Sequence, residues 1–316
     1  MKAFVTGIYG FVGRHLARRL FDSGHDVAGF ALKQDVQEGV FPPKIQVTEG
    51  DLCDFDRLSW TIRRHSPDVV FHLAALSSVK LSFENPGQTF AVNVIGTLNL
   101  LEAVARLKRQ AKVLLVSSSE IYGQLGPNDV PVRETAPLAP VNPYGVSKAA
   151  CDMLGYQYFK AYKMPVYRVR AFSHCGPAQG TQAVLSDWAF QTAKIELGLA
   201  APQIKVGNLN VTRDYTDVKD TIEAYLAVVE RGVPGEAYNV CSGVGYRLEE
   251  LLRTIISFSS KKIMISEDPS RLRPVDIPIL IGSSEKLTKD TGWRPSVDIK
   301  VTLKEMYEYW LNSIKE

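Results

Sequence analysis

Three glycines near the start of the chain constrain the possible fold more than any other feature. An apolar segment at residues 3–5 leads into Gly7, Gly10 and Gly13, and a helix-forming stretch follows. Glycine at these positions lets the backbone turn sharply and approach a pyrophosphate, and lets the helix pack against the strand. The helix N-terminus can then hold phosphate groups with its unpaired N–H groups and its dipole. Because the motif follows a strand and opens a helix, it predicts a dinucleotide-binding unit rather than an ordinary glycine-rich turn.

A tyrosine and a lysine four residues apart predict acid–base chemistry. Tyr144 and Lys148 share one face of a helix predicted for residues 143–162. An ammonium group beside a phenol favours the phenolate, so the pair predicts that Lys148 lowers the pKa of Tyr144 from its usual value of about 10. Such a tyrosine can exchange a proton with a sugar or alcohol oxygen near neutral pH. Similar pairs are common on surface helices, so this interpretation depends on the glycine motif.

Composition limits the classes of partner. The 316 residues are 45% hydrophobic and 22% charged, which is typical of a soluble globular protein. A net charge of +3, scattered along the chain, does not predict binding to nucleic acid or membrane. No run approaches the roughly 18 apolar residues of a membrane helix, and Met1 leads directly into the first predicted strand, so we expect no signal peptide. We therefore expect a cytoplasmic protein.

The cysteines and histidines do not predict a metal site. No CxxC or Cys/His ligand spacing occurs, and the sequence predicts four buried free thiols in a reducing cytoplasm, at Cys53, Cys151, Cys175 and Cys241. The five histidines likewise form no metal-binding pattern.

Apolar strand segments alternate with helical segments through the first half of the chain. The predicted strands are residues 2–5, 26–30, 44–49, 69–73, 113–117 and 166–171. The predicted helices begin near residues 10, 54, 85, 93 and 143. This alternation predicts an α/β fold with a Rossmann-type doubly wound parallel sheet. We expect an NAD(P)-binding domain at residues 1–172 and a smaller, interleaved substrate-binding domain at residues 173–316. Residues 214–242 return to the first domain through a helix at 218–231 and a strand at 237–240.

Further motifs follow one another in an order typical of one enzyme family. They are Phe71-His72-Leu73-Ala74-Ala75, Asn93, Ser118-Ser119-Glu120-Ile121-Tyr122-Gly123, Arg170-Ala171-Phe172-Ser173-His174-Cys175-Gly176-Pro177 and Thr291-Gly292-Trp293-Arg294-Pro295. With the glycine motif and the Tyr144/Lys148 pair, they resemble the extended short-chain dehydrogenase/reductase family of nucleotide-sugar epimerases, dehydratases and reductases. The resemblance covers essentially the whole chain.

This resemblance implies a nicotinamide dinucleotide site. The implied contacts are Gly7, Tyr9, Gly10, Phe11, Val12, Gly13, Asp51, Leu52, Leu73, Ala74, Ala75, Tyr144 and Lys148. An acid at the end of the second strand suits NAD, whereas a basic residue suits the 2′-phosphate of NADP. Lys33 occupies that place and no acid occurs before Asp35, so we expect NADP(H), with NAD(H) as the alternative. A solvated loop lysine is the other interpretation of Lys33.

The resemblance also implies the catalytic residues. Ser118 matches the serine that hydrogen-bonds the reacting oxygen, with Ser119 as the alternative, and Tyr144 matches the proton donor. Lys148 would hold the nicotinamide ribose. In 4,6-dehydratases the glutamate that matches Glu120 removes the C5 proton of the sugar. Related reductases carry this glutamate as well, so Glu120 does not decide the reaction.

The second half of the chain resembles members that bind GDP-sugars. In the segment at residues 206–218, Arg213 matches an arginine that contacts the nucleotide diphosphate, and guanidinium pairs bidentately with phosphate oxygens. In a second segment, Arg273 matches another diphosphate contact and Asp276 matches an acid that meets the ribose. Ser173 stands where the family has an asparagine that touches the sugar or phosphate.

Other departures favour one reaction among several. The family's dehydratases carry an Arg-Lys pair where this chain has Ser186-Asp187, and they carry a Gly-Gln-Asp-Gly run that this chain lacks. The resemblance therefore favours reduction of the C4 ketone of GDP-4-keto-6-deoxy-D-mannose to GDP-D-rhamnose. GDP-mannose 4,6-dehydration, sugar epimerisation and a non-catalytic NADP sensor remain alternatives.

The resemblance further implies a homodimer. In relatives, two helices from each subunit form a four-helix bundle, and the corresponding segments here are residues 93–107 and 143–162. Val104, Met153 and Tyr156 are the predicted apolar contacts. The alternative is that these helix faces cover the sheet of their own subunit.

Overall fold

Thirteen strands and eleven α-helices lie within the described part of the chain. The computed structural model describes residues 1–37, 39–272 and 275–315. The strands are β1 (Lys2–Thr6), β2 (Asp26–Ala31), β3 (Gln46–Glu49), β4 (Val69–His72), β5 (Lys112–Ser118), β6 (Val166–Ala171), β7 (Ser173–Cys175), β8 (Gln203–Val206), β9 (Thr212–Asp217), β10 (Ala237–Val240), β11 (Gly245–Arg247), β12 (Met264–Glu267) and β13 (Ile279–Leu280). The helices are α1 (Phe11–Asp22), α2 (Phe55–His65), α3 (Val79–Glu84), α4 (Pro86–Phe90), α5 (Gly96–Ala105), α6 (Pro143–Tyr162), α7 (Val184–Glu196), α8 (Val218–Arg231), α9 (Leu248–Ile256), α10 (Glu285–Thr291) and α11 (Ile299–Lys315).

Seven parallel strands form the main sheet, in the order β3-β2-β1-β4-β5-β6-β10. The inner strands are nearly continuous runs of buried residues, because helices cover both faces of the sheet. The Rossmann-type doubly wound fold is thus confirmed. In such a sheet the carboxyl ends of all strands meet at one edge, where ligands bind.

Each face of the sheet has its own apolar core. On one face, Leu16 and Leu20 of α1 pack with Tyr225 and Val228 of α8. On the other face, α2, α5 and α6 pack through residues such as Leu58, Leu101 and Tyr158. In the segment predicted to return to the main sheet, α8 covers the sheet and β10 pairs with β6.

A smaller lobe is built from the second half of the chain. In it, β9 pairs with β7, β11 and β13, and β8 pairs with β12. The helices α7, α9 and α11 bury Trp188, Leu252 and Leu303 in one cluster against these strands. The lobes interleave, because α10 packs against α8 and β10 of the main sheet. The boundary at residue 172 stays a prediction.

Two local predictions differ from the structure. The helix start near residue 85 is confirmed, since α4 begins at Pro86. The separate start near residue 93 is wrong, because α4 continues through a π-helical turn, Ala91–Ile95, directly into α5. The prediction also missed α3, whose N-terminus is capped by Ser78. The four cysteines are free, but Cys53 is exposed and only the other three are buried as predicted.

Candidate active site

The glycine turn brings the carboxyl ends of β1 and β4 together. Gly7 has a φ of +69°, and a Cβ there would lie 2.9 Å from the Ala74 Cα. A Cβ on Gly13 would lie 2.2 Å from the Gly7 carbonyl oxygen. Substitution at either position would push the helix or the next loop out of place. Glycine is therefore required for close packing, as the motif predicts.

The start of α1 offers unpaired backbone donors. Gly10 precedes the helix, and the first helical bond runs from the Arg14 N–H to the Gly10 carbonyl at 3.0 Å. Within the described residues, no side chain caps this end. The N–H groups of Phe11, Val12 and Gly13 consequently lack helical acceptors and suit an anion such as a pyrophosphate.

The predicted adenosine contacts lie at the ends of β2 and β3. Lys33 is exposed in a short 3₁₀ turn directly after β2, and Asp51 is exposed after β3. Leu52 is buried, and its carbonyl accepts a bond from the Asn99 amide at 2.9 Å. Arg14 reaches the same loop, since its guanidinium donates to Gln37 Oε1 at 2.9 Å and to the backbone of Tyr9 at 2.8 Å.

The loop directly after β4, which is predicted to line the cofactor site, is held in place by buried polar side chains. Leu73, Ala74 and Ala75 are half-buried, and the Ala74 N–H donates to Thr6 Oγ1 at 3.2 Å. Asn93, 1% exposed, bonds both the N–H and the carbonyl of the next residue, Leu76, at 2.8 and 3.1 Å. The small side chains of this loop and its fixed backbone would allow a ligand to approach closely.

A buried histidine helps to position the same loop. His72 bonds Thr6 Oγ1 at 2.8 Å and Thr97 Oγ1 at 2.9 Å. Burial, with a smaller effect from the charge of Lys148, lowers the pKa of His72 to about 3. The ring is therefore neutral at physiological pH and acts as a structural hydrogen-bonding group.

Ser118, Tyr144 and Lys148 meet at the carboxyl edge of the sheet. Ser118 ends β5, and its hydroxyl lies close enough to that of Tyr144, on the first turn of α6, to affect the Tyr144 pKa. Lys148, one turn further on, is 6% exposed. Ser119, the alternative to Ser118, is buried in the turn that follows. The structure thus places Ser118 beside Tyr144, and Lys148 one helical turn from Tyr144.

The electrostatics of Tyr144 differ from the prediction. Burial raises its pKa to about 12, the Ser118 hydrogen bond opposes this rise, and the charge of Glu120 adds to it. Burial also lowers the pKa of Lys148. The predicted lowering of the Tyr144 pKa by Lys148 is therefore wrong, because burial dominates the shift and the charge of Lys148 is not among its causes. Tyr144 stays protonated near neutral pH.

Two arginines of β6 fix the helix that carries Tyr144. Asp152, one turn beyond Lys148, lies 2.6 Å from Arg168 and 3.1 Å from Arg170. Its side chain is 1% exposed, so the carboxylate depends on both guanidinium groups. These contacts set the rotation of α6 and hence where Tyr144 points.

Glu120 lies beside this group. Its backbone N–H donates to Ser118 Oγ at 3.2 Å, and its carboxylate accepts a bond from the Asn142 amide at 2.7 Å. Asn142 also caps α6 by accepting the Gly145 N–H at 2.7 Å. One asparagine therefore holds both Glu120 and the helix of Tyr144.

The predicted substrate residues lie in the smaller lobe. Arg213, on β9, donates to Asp276 Oδ1 at 3.1 Å, and Asn208 donates to the other oxygen of Asp276 at 3.0 Å. Arg273 lies outside the described residues. Ser173 is half-buried at the start of β7.

An acid takes the place where the family's dehydratases carry a basic pair. Asp187, on α7, accepts a bond from Arg271 at 2.5 Å. Its neighbour Ser186 is fully buried and donates to the Gln179 carbonyl. The loop of Arg271 also contacts α3, where the Lys80 ammonium donates to the Ser270 carbonyl at 3.2 Å.

Several residues in this site were not singled out from the sequence. Arg14, beside the loop after β2, and Asn142, at the start of α6, are two of them. An asparagine directly before a proline at a helix start is a signal for a cap. Nothing in the sequence signals its second bond, to Glu120.

Residues 1–37, 39–272 and 275–315 contain neither a candidate membrane span nor a candidate metal site. None of the helices there is long and apolar enough to cross a membrane. Their His, Cys, Asp and Glu side chains form no group that could hold a metal ion.

Comparison with known proteins identifies the family. A family profile described as GDP-mannose 4,6 dehydratase matches residues 4–306. The GDP-6-deoxy-D-mannose reductase of Pseudomonas aeruginosa is 34% identical over 100% of this chain and 99% of its own length. A GDP-mannose 4,6-dehydratase of Yersinia enterocolitica is 28% identical over 100% of this chain and 95% of its own length.

Solved structures give the same result. RMD from Pseudomonas aeruginosa, complexed with NADPH, superposes with a TM-score of 0.85 at 32% identity, over 99% of each chain. The UDP-glucose 4-epimerase of Thermus thermophilus, complexed with NAD, has a TM-score of 0.89 at 29% identity, over 98% of this chain and 99% of the epimerase. Because the profile spans nearly the whole sequence and the reductase matches over its full length, the chain belongs to the GDP-mannose 4,6 dehydratase family.

Proposed function

We propose that this protein reduces the C4 ketone of GDP-4-keto-6-deoxy-D-mannose to GDP-D-rhamnose, using NADPH. One observation carries the proposal: Ser118 at the end of β5 and Tyr144 in the first turn of α6 lie together at the carboxyl edge of the sheet, where burial keeps the phenol of Tyr144 protonated. Reduction of a ketone requires a proton donor, whereas dehydration begins by oxidising an alcohol and requires a base. The similarity to a GDP-6-deoxy-D-mannose reductase supports the same direction.

The residues present fit a nicotinamide dinucleotide. The unpaired N–H groups at the start of α1 suit its pyrophosphate, and Asp51 with the Leu52 backbone suits its adenine. Lys33 and Arg14, both at the loop after β2, suit a 2′-phosphate and favour NADPH over NADH. When bound, this cofactor supplies the hydride. Lys148 would hold its nicotinamide ribose.

The chain's own side chains would supply the remaining chemistry. Ser118 donates a hydrogen bond to the C4 carbonyl oxygen and so stabilises the negative charge that develops there. Tyr144 then gives its proton to this oxygen, and the product is an alcohol.

The smaller lobe would bind the nucleotide of the substrate. Arg213 is positioned by Asp276 on a strand next to the site, and its guanidinium suits a diphosphate. Asp276 would then meet the ribose, and Ser173 the sugar. Arg273 stays a predicted second diphosphate contact.

Dehydration of GDP-mannose is a second candidate, because Glu120 lies beside Tyr144 as that reaction requires. Asp187 argues against this candidate. It is an acid paired with Arg271, at the position where the family's dehydratases carry a cation that binds phosphate.

The decisive experiment incubates the protein with GDP-mannose alone, and separately with the 4-keto-6-deoxy sugar plus NADPH. We expect stoichiometric NADPH loss with the keto-sugar only. Conversion of GDP-mannose without added cofactor would establish the dehydratase, and a lack of turnover in both would indicate a sensor.

The proposed enzyme is a cytoplasmic homodimer. Apolar side chains are exposed along α6, with Val146 at 39%, Met153 at 60% and Tyr156 at 44%, all on one helical face. Phe90 and Ile95 on the neighbouring helix are 38% and 48% exposed. Pairing this surface with a second copy would remove it from water.

A further inference from the structure

Asn142 makes two hydrogen bonds with different purposes. Its Oδ1 accepts the Gly145 N–H at 2.7 Å and caps α6, and its Nδ2 donates to Glu120 Oε2 at 2.7 Å. The side chain is 5% exposed, so water competes little with either bond. The cap requires only an acceptor, which serine or aspartate also provides. The bond to Glu120 requires the amide donor.

Glu120 is poised to cause a side reaction. Its backbone N–H bonds Ser118 and its carboxylate bonds Asn142 at the start of α6, so the carboxylate lies on the same side of the site as Ser118 and Tyr144. The carbons on either side of a ketone carry acidic protons. A free carboxylate oxygen could take one of these protons. The C–H electron pair would form a C=C bond, and the carbonyl electrons would pass to the oxygen held by Ser118 and Tyr144. Return of a proton from solvent to carbon would complete an exchange.

We propose that Asn142 is a positioning residue that ties the Glu120 carboxylate to the start of α6 and so prevents it from removing protons beside the C4 ketone. This inference rests on the proposed reductase function. The amide engages one carboxylate oxygen and fixes the plane of the group. Ketone reduction then proceeds without loss of the neighbouring stereocentres.

The test uses Asn142→Asp, which retains a capping oxygen but has no donor for Glu120, and Asn142→Ala, which lacks both the cap and the donor. Each enzyme reduces the keto-sugar with NADPH in D₂O, and NMR with mass spectrometry locates deuterium at C3 and C5 of the product. An enzyme-free incubation measures background exchange, and circular dichroism checks folding. Wild type should incorporate no more deuterium than this background. The variants should exchange at least about tenfold faster, a modest part of the roughly 10²–10⁴-fold effect of a general base.

The double variant Asn142→Asp/Glu120→Gln identifies the base, because exchange should return to background when the Glu120 carboxylate is absent. A merely structural role for Asn142 would slow reduction without placing deuterium on carbon. Folded variants that reduce the sugar with no added deuterium would overturn the inference and leave the reductase standing. If wild type fails to oxidise NADPH with the keto-sugar, the proposed function itself is wrong, and the inference goes with it.

Discussion

Arg213 Nη2 lies 3.1 Å from Asp276 Oδ1, and these residues are separated by 63 positions in sequence. The arginine side chain is 9% exposed and that of the aspartate 25%, so the pair lies at the boundary between core and solvent. A guanidinium held in this way is already oriented before a ligand arrives. The cost of ordering it on binding is correspondingly small.

Arg213→Ala should therefore weaken substrate binding with little change in kcat, since the diphosphate is held equally in the ground and transition states. Charge-assisted hydrogen bonds contribute about 1.5–3 kcal/mol, which corresponds to a KM rise of about ten- to hundredfold. Lysine should not restore affinity, because an ammonium lacks the planar fork. Arg247→Ala, an exposed arginine on the neighbouring strand β11, is the matched control. Stronger competition by UDP or dTDP than by GDP would contradict the GDP-sugar assignment.

Tyr144→Phe should abolish turnover and leave cofactor affinity nearly intact, because only the proton donor is lost. General acid catalysis contributes about 10²–10⁴ in rate, and steady-state kinetics with cofactor titration would measure both effects. Tyr162→Phe, at the exposed end of the same helix, should behave as wild type. Retention of more than about a tenth of the wild-type kcat would refute the proposed role.

Lys33→Ala should weaken binding of NADPH more than that of NADH. Lys33 is exposed, and an exposed ion pair contributes only about 0–1 kcal/mol, so the preference should shift by a few-fold. Cofactor titration by fluorescence would measure it, with the exposed Lys44→Ala as control. An equal loss for both cofactors would show that Lys33 does not contact the 2′-phosphate.

Met153→Glu should convert a dimer to a monomer, because it places a charge in the exposed apolar face of α6. Light scattering at micromolar concentration would report the mass. Val301→Glu, a comparably exposed position on α11, should leave the mass unchanged. A monomeric wild type would refute the dimer.

The prediction that Val104 is an interface contact is wrong. Its side chain is 3% exposed and lies in the core of its own subunit.

His72 should make the fold less stable in acid. Its pKa is lowered to about 3 in the folded chain, so the unfolded chain binds the proton more readily, and stability is lost as pH falls below about 6.5. Between pH 7 and pH 5 this one group accounts for about 2 kcal/mol of the unfolding free energy. Urea denaturation at the two pH values should show a loss smaller by this amount in His72→Asn. Equal losses in both proteins would mean that His72 is not the group responsible.

The sequence alone determined the features that depend on short-range spacing. Gly7, Gly10 and Gly13 follow a strand and open a helix, and Tyr144 and Lys148 share a helical face, so local geometry fixes their relation. The alternation of apolar segments likewise fixed the parallel sheet, since strands buried on both faces require covering helices. These predictions needed no knowledge of distant contacts.

Only the tertiary structure decided what depends on burial and on partners far along the chain. Desolvation around Tyr144 reversed the expected direction of its pKa shift, because burial raises this pKa and disfavours the charged phenolate. The bond from Asn142 to Glu120 joins a helix cap to a strand end 22 residues away. Val104 and Met153 lie on helices predicted to form the interface, but Val104 is buried in the core whereas Met153 is exposed. Sequence periodicity defines a helical face, whereas packing against the rest of the chain decides which environment that face meets.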